Sequence, residues 1–151
     1  MKIKKREMMS SPEWRIMDAS LNRASEGLRL LEDLVRFTFN DSSLSGRLKG
    51  LRHYLAGAAI PWQKELLTSR DSPGDIGRDA DFDPDPSRED LISIIRSNAK
   101  RVQESLRTME ELAKLPELNK AFDWAKLKEM RYSLYELEKD ILTRFQENNS
   151  G

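Results

Sequence analysis

The chain has 151 residues, enough for one domain to bury most of its apolar side chains in a single core. Its 26 Lys and Arg balance its 26 Asp and Glu, so we do not expect it to bind nucleic acid or a membrane surface through net charge. Cys is absent, which excludes disulfides and thiolate metal sites, and the single histidine, His53, argues against a zinc site. No apolar segment follows the basic N-terminus, so we expect a soluble, cytoplasmic protein.

The first half of the chain contains helical signals. The segment SSPE at residues 10–13 provides a serine cap, a proline for the first helical position and a capping-box glutamate. Apolar residues then recur with a helical period over residues 14–39. A second helix is predicted over residues 44–59, and Pro61 kinks it or restarts it as a short helix that ends near Thr68.

A loop separates this half from two further helices. Glycines, prolines and aspartates interrupt any helical period over residues 69–86. The segment SRED at residues 87–90 caps a third helix, which is predicted to extend to about Leu115 because Pro116 follows. The fourth helix is predicted to cover about residues 118–146.

The two halves repeat each other in sequence. LNRASEGLRLLEDL at residues 21–34 resembles AKRVQESLRTMEEL at residues 99–112, which lies 78 residues later. LKGLRHYL at residues 48–55 likewise resembles LKEMRYSL at residues 127–134. Arginines, lysines and glutamates recur together with the leucines, so the repeat preserves more than a core pattern.

We therefore predict an all-α protein with a single domain over residues 1–151. Its fold is an antiparallel four-helix bundle made of a duplicated helical hairpin, with an approximate two-fold axis between the halves. The halves cover about residues 13–68 and 87–146, and the long Gly/Pro/Asp loop at residues 69–86 lies between them.

Both halves contain the pattern Arg-x-x-Glu-x-x-Arg-x-x-Glu, at residues 23–32 and 101–110. Such charges are neighbours on a helix, and they commonly form a solvated, ion-paired face. Because the pattern occurs twice, the arginines of both copies could instead converge on one cleft between helices and bind a phosphate, whose oxygens match the guanidinium fork. The sequence leaves both interpretations open.

A second basic group, Lys49, Arg52 and His53, lies on one side of the second helix, and its Lys-x-x-Arg spacing recurs at Lys128 and Arg131. A solvated surface is the ordinary interpretation of such a group. A lone histidine beside an apolar stripe is more often a packed or capping residue than a catalyst.

The loop segment RDSPGDIG at residues 70–77 could form an anion-binding nest of backbone N–H groups, and its aspartates could hold Mg²⁺ on a bound phosphate. Pro-Gly is also a common turn, and no Walker A motif is present. The alternating aspartates at residues 79–85 do not form an EF-hand, because Pro84 and Asp90 stand where that pattern requires Gly and Glu.

Ordered segments covering about residues 13–142 resemble one known family. They are RIMDA (15–19), NRA (22–24), EGLR (26–29), ED (32–33), RF (36–37), LK (48–49), LRH (51–53), RDSPGD (70–75), Asn98 and RVQESLR (101–107). The resemblance is to the alternative hydroxymethylpyrimidine phosphate kinase. This helical domain is fused in front of thiamine-phosphate synthase in cyanobacteria and some other bacteria, and it also occurs alone.

The resemblance implies that the chain transfers the γ-phosphoryl group of ATP to hydroxymethylpyrimidine phosphate in thiamine biosynthesis. The attacking phosphate is already ionised, so this chemistry requires cations and Mg²⁺ more than a strong base. The catalytic residues assigned on this basis are Arg29, Lys49, Arg52 and Arg107. Residues assigned to substrate or nucleotide binding are Asp18, Asn22, Arg23, Glu26, Arg36, His53, Arg70, Gly74, Asn98, Arg101 and Glu104, and those assigned to Mg²⁺ are Asp71 and Asp75.

The expected partners are the pyrimidine phosphate and ATP, with no nucleic acid and no membrane. The 151 residues include no synthase barrel, so thiamine-phosphate synthase is a candidate partner. The alternative function is a non-catalytic helical module that binds or regulates this synthase. A homodimer is compatible with an amphipathic bundle.

Overall fold

The computed structural model describes residues 11–78 and 87–149. Within these ranges the chain is helical and has no strand, which confirms the predicted all-α class. The elements are α1 (Pro12–Phe39), α2 (Ser42–Ala59), a 3₁₀ turn (Ile60–Trp62), α3 (Gln63–Thr68), α4 (Leu91–Leu112) and α5 (Trp124–Asn149). None of these helices is long and apolar enough to cross a membrane.

Side-chain caps set the first helical hairpin. The Ser11 hydroxyl accepts the Trp14 N–H at 3.5 Å at the start of α1. Asn40 ends that helix in the left-handed conformation, with φ of 52°. Asp41 then accepts the Leu44 N–H at 3.0 Å and begins α2. Only two residues join the helices, and Arg52 of α2 reaches back to Glu32 of α1, so α1 and α2 are antiparallel.

Contacts along α5 fix its direction relative to α2. The Arg47 side chain donates to Asp140 at 2.9 Å near the start of α2. Near its end, the Lys126 ammonium lies 5.5 Å from the centre of the Tyr54 ring. Residues early in α2 therefore meet residues late in α5, so these two helices are also antiparallel.

The second hairpin is arranged in the same way. Gln103 donates to Glu138 at 3.5 Å, and Arg131 donates to Glu110 at 2.8 Å, so α4 and α5 are antiparallel. Helix α1 packs against both α2 and α4. The side chains buried in the common core come from all four long helices and include Met17, Leu28, Leu48, Leu55, Ile95, Leu106, Met130, Leu134 and Ile141.

The structure corrects two predicted boundaries. Helix α4 ends at Leu112 rather than near residue 115, and α5 begins at Trp124 rather than at 118. Residues 113–123 form turns that bury Leu118 and Phe122 in the core. The Asp123 carboxylate then accepts the N–H of Ala125 at 3.0 Å, which starts α5 there. Residues 69–78 form turns and bends, as expected for the loop, whereas residues 79–86, with the aspartates from 79 to 85, lie outside the described residues.

Helices α1 and α4 approach closely at Gly27. A Cβ atom at this position would lie 2.5 Å from Cγ2 of Val102 and 3.4 Å from the carbonyl oxygen of Asn98. Val102 is fully buried and β-branched, so it cannot move aside easily. The missing side chain of Gly27 therefore permits the α1–α4 contact.

Replacing Gly27 by Ala should lower the free energy of unfolding by about 1–3 kcal/mol, because the clash outweighs the gain in helix propensity. Gly50→Ala is the matched control, since a Cβ there meets no atom within 4 Å. It should raise the free energy by up to about 1 kcal/mol. Urea denaturation measures both, and equal stabilisation by the two substitutions would contradict the close contact.

Candidate functional site

Three basic side chains surround a buried carboxylate between α1 and α2. Arg52 Nε donates to Glu32 Oε2 at 2.8 Å, and its Nη2 donates to Oε1 at 3.3 Å. The Glu32 side chain is only 10% exposed. The positive charges of Arg29 and Lys49 also act on this carboxylate. We call Glu32, Arg29, Lys49 and Arg52 the Glu32 cluster; it brings together three of the four residues predicted to be catalytic.

Electrostatics keep this glutamate ionised. The hydrogen bond from Arg52 holds the pKa of Glu32 below its ordinary value; burial opposes this effect, and the charges of Arg29 and Lys49 reinforce it. Asp33 adds a second carboxylate that contacts Arg29 and acts on Arg52, so three cations share two carboxylates. Arg29 is 54% exposed, with a 3.5 Å contact to Asp33, and Lys49 is also exposed, so both remain accessible to an anion.

An open groove of about 910 Å³ lies beside the Glu32 cluster. Its charged lining consists of Glu26 and Asp33 together with Arg29 and Arg52, and its apolar lining includes Leu30, Leu34 and Phe37. Phe37 is 75% exposed. The groove therefore combines guanidinium groups that suit phosphate with an apolar surface that suits a ring.

The second hairpin contains an equivalent cluster around Glu110. Arg131 donates to both carboxylate oxygens of Glu110, at 2.8 and 3.2 Å, and Arg107 donates to it at 3.2 Å. Burial alone would raise the pKa of Glu110, but the hydrogen bond from Arg131 and the charges of Arg131, Arg107 and Lys114 outweigh it and lower that pKa. We call Glu110, Arg107, Lys114 and Arg131 the Glu110 cluster.

The two clusters differ at one equivalent position. Where Ala56 lines the groove in the first hairpin, the second hairpin has Tyr135, 79 residues later. Arg131 Nη1 donates to the Tyr135 hydroxyl at 3.2 Å. The large side chain of Tyr135 thus covers the Glu110–Arg131 pair, whereas the methyl group of Ala56 leaves the groove beside Arg52 open.

Arg29 and Arg107, for which the sequence left a shared cleft as one of two interpretations, lie in different hairpins. Each contacts carboxylates of its own helix, Asp33 for Arg29 and Glu110 and Glu111 for Arg107. The structure therefore shows two separate clusters in place of a shared one.

The predicted loop is anchored to the first helix. Arg70 Nε donates to Asp18 Oδ2 at 2.6 Å, and its Nη2 donates to Oδ1 at 2.9 Å. This bidentate bond raises the pKa of Arg70 further above its ordinary value. Asp18 precedes Arg29 by 11 residues. Along an α-helix this separation is about 16 Å, so the loop anchor and the Glu32 cluster lie apart on α1.

A row of polar residues connects these two points. Asp18, Asn22, Glu26 and Arg29 are spaced by four, four and three residues, so they lie along one side of α1. Asn22 and Glu26 are exposed between the two ends. We call these four residues the α1 stripe.

Within the loop, the aspartates stabilise their own turns. Asp71 Oδ1 accepts the Gly74 N–H at 3.0 Å, and Asp75 Oδ1 accepts the Gly77 N–H at 2.9 Å. No three His, Cys, Asp or Glu side chains in the described ranges, 11–78 and 87–149, are grouped so as to hold a metal. Mg²⁺ on a nucleotide often takes only one or two protein carboxylates and completes its shell with phosphate and water. Two exposed aspartates fit that donor set.

The remaining predicted residues lie on the surface around α1 and α4. Arg101 Nη2 approaches Glu26 Oε2 at 3.8 Å across the two helices. Asn98, beside Gly27, donates to the carbonyl oxygen of Ile94. The Arg36 guanidinium lies 4.8 Å from the Phe37 ring centre, at the groove. The other members of the predicted site are Arg23 of α1, His53 of α2 and Glu104 of α4; all are exposed, and their side chains make no polar contact in the described part of the chain.

Sequence reasoning did not assign Glu32 and Glu110 to the site, although they organise both clusters. Their signal was available, because each lies near the edge of an apolar face and is preserved in the repeat. The apolar groove residues Leu30, Leu34 and Phe37 were also missed, because their helical spacing is the same as that of residues packed in the core.

Comparisons with known proteins agree on one family. A model of the ThiD2 family matches residues 15–140. The chain is 44% identical over 122 residues to a thiamine-phosphate synthase of Rhodopirellula baltica, covering 80% of this chain and 32% of that protein. It is 38% identical over 139 residues to a thiamine-phosphate synthase of Nostoc punctiforme, covering 91% of this chain and 37% of that protein. It is 39% identical over 129 residues to a thiamine-phosphate synthase of Synechocystis sp., covering 85% of this chain and 36% of that protein. The chain spans about a third of the length of these relatives. No solved structure matches it significantly.

Replacing Glu110 by Gln should lower the free energy of unfolding by about 3 kcal/mol at pH 7, because Arg131 loses its buried counter-charge. Asp140→Asn is the matched control; it breaks an exposed ion pair and should cost less than ~1 kcal/mol. The pKa of Glu110 is lower in the folded protein than in the unfolded chain, where it is about 4.3. Glu110 therefore adds to the free energy of unfolding above that pH, and this stabilisation is lost as the pH falls. Denaturation curves should therefore converge below about pH 4. If the wild type and Glu110→Gln differed in free energy of unfolding by the same amount from pH 7 to pH 3, this explanation would be contradicted.

Proposed function

We propose, from the premise that this chain belongs to the ThiD2 family, that it is a Mg²⁺-dependent kinase of hydroxymethylpyrimidine phosphate in thiamine biosynthesis. The observation that carries the proposal is the Glu32 cluster at the edge of the groove. There Arg29 and Lys49 remain accessible next to the buried Glu32–Arg52 pair. The thiamine-phosphate synthases that the chain resembles place it in thiamine biosynthesis.

The reaction joins two polyanions, and a cationic cluster lowers its barrier. An oxygen of the substrate phosphate forms a bond to the γ-phosphorus of ATP, the bond from that phosphorus to the β–γ bridging oxygen breaks, and ADP leaves with the electron pair. The attacking oxygen is already ionised, so no general base is required. Arg29 and Lys49 would bind the substrate phosphate and offset its repulsion from the triphosphate. Arg52, held by Glu32, would keep its guanidinium in place beside them.

The groove supplies a surface for the substrate ring. Leu30, Leu34 and Phe37 lie on the same wall as Arg29. A pyrimidine ring on these side chains would place its phosphate arm towards the cations. The exposed ring of Phe37, with Arg36 beside it, is suited to stacking on the heterocycle.

The loop at the other end of the α1 stripe is the proposed place for Mg²⁺ and the nucleotide phosphates. Asp71 and Asp75 would hold the metal, which neutralises charge on the β- and γ-phosphates when bound. Arg70, positioned by Asp18, and Gly74 would border this end. Asn22 and Glu26 lie between it and the Glu32 cluster, where the two substrates would meet.

We further propose that the bundle arose by duplication of one hairpin. The Glu32–Arg52 and Glu110–Arg131 pairs join equivalent helices at equivalent positions, with the same bidentate geometry. The antiparallel contacts of α5 with α2 and with α4 suit a four-helix bundle with a two-fold relation between its halves.

The activity is tested by incubating the purified chain with ATP, Mg²⁺ and hydroxymethylpyrimidine phosphate and separating the products. We expect ADP and the pyrimidine diphosphate in equal amounts. Arg29→Ala should lower kcat/KM about 100-fold, which corresponds to about 3 kcal/mol of transition-state stabilisation. Arg29→Lys should recover only part of the loss, because lysine keeps the charge but lacks the guanidinium fork.

Arg47→Ala is the control, since Arg47 is exposed and pairs with Asp140 away from the groove. It should leave turnover within about threefold of the wild type. Arg107→Ala tests the catalytic role that the resemblance assigned to Arg107, since a loss of kcat/KM as large as that of Arg29→Ala would include Arg107 in the site. Substrate binding without any diphosphate product would refute the kinase and favour a non-catalytic module of thiamine-phosphate synthase.

A further inference from the structure

A second cavity lies where α2 ends and α5 begins, away from the groove. It has a volume of about 480 Å³, within the range of small-molecule sites. Its walls include Tyr54 of α2, Asn119, Lys120 and Phe122 of the turns before α5, and Trp124 at the start of that helix. None of these residues was assigned to the site above.

Aromatic rings form two of its walls. The Tyr54 ring is half-buried, and Trp124 is 43% exposed, so both offer accessible ring surface. Phe122 is buried behind them and packs edge-on against Trp14, with ring centres 6.2 Å apart. These fixed rings suit the stacking of a flat heterocycle.

Lysines surround the same cavity. The Lys114 ammonium lies 5.4 Å from the Trp124 ring centre, and the Lys126 ammonium lies 5.5 Å from that of Tyr54. Lys120 is part of the wall itself. Asp123 also lines the cavity, and Lys114 and Lys126 pair with Glu111 and Glu129. Lys120 is therefore the cation of the wall that can face a negatively charged group of an occupant.

Two polar groups of the wall have capacity for a ligand. The side-chain amide of Asn119 and the ammonium of Lys120 make no hydrogen bond to any described residue of the chain. An asparagine amide offers a donor and an acceptor side by side, a pattern that matches the N6 and N7 edge of adenine.

The cavity lies at the same end of the protein as the loop. Trp14, which contacts Phe122, is one helical turn before Asp18, and Asp18 holds Arg70. A nucleotide base in the cavity would thus be at the end of α1 where Asp71 and Asp75 are proposed to hold Mg²⁺.

We propose that this cavity binds the adenine base of the nucleotide, with its rings stacking on the base, Asn119 reading the adenine edge and Lys120 facing the phosphates. The inference rests on the proposed function for the identity of the ligand. Its test measures binding, so it does not depend on turnover.

Calorimetric titration of the full chain with ADP and Mg²⁺ provides this test. The double variant Asn119→Ala/Lys120→Ala should raise the Kd for ADP at least tenfold and leave the Kd for hydroxymethylpyrimidine phosphate within twofold. Lys139→Ala, an exposed lysine of α5, should bind ADP like the wild type. ADP should also change the tryptophan fluorescence, and Trp124→Phe should abolish that change while keeping most of the affinity.

The other outcomes overturn the inference in distinguishable ways. If the wild type binds ADP but only Arg29→Ala weakens it, the base lies in the groove, and the proposed function stands without this cavity. If the double variant loses affinity for the pyrimidine phosphate instead, the cavity holds the other substrate. If the wild type has no affinity for ADP, both this inference and the kinase fail. Circular dichroism of the variants checks that each is folded.

Discussion

A carboxylate–guanidinium pair buried between two helices is the interaction on which the rest of this structure depends. Removing one partner of such a pair leaves a charge with little access to water, which is costly, so Glu32 and Arg52 fix how α1 and α2 meet. The pair also has a functional consequence. Glu32 pairs with Arg52 and Asp33 contacts Arg29, whereas the exposed Lys49 has no ion-pair partner among the described residues. A chain with zero net charge can therefore still expose guanidinium and ammonium groups together beside one groove.

Much of the fold could be predicted from the sequence, because caps and breakers are local. Asp41 begins α2 by accepting a nearby backbone N–H with its side chain, and Asn40 ends α1 through its own backbone N–H. The start of α5 was missed because it depends on how Leu118 and Phe122 pack into the core, which is a tertiary effect. The repetition drew attention to the basic residues of the candidate site, and the family resemblance assigned them to it. Their division into two clusters was not, because it depends on how helices rotate within each hairpin.

The two hairpins share their buried pairs but differ at the surface around them. Tyr135 covers the Glu110–Arg131 pair, whereas the equivalent Ala56 leaves a groove beside Arg52. At the contact between the hairpins, Gly27 removes a side chain where α1 meets α4. The two hairpins thus have similar buried pairs but different outer faces, and the face of the first hairpin is the one that is open beside its pair.

The central claim is that the first hairpin binds the substrate phosphate through the Glu32 cluster. The most direct measurement is a ¹H–¹⁵N NMR titration of the full chain with hydroxymethylpyrimidine phosphate in the absence of nucleotide. The account predicts that backbone amides in residues 25–37 and 49–56 and the Nε–H of Arg29 shift together with one Kd. Shifts confined to residues 107–135, or no saturable shift in either hairpin, would contradict it.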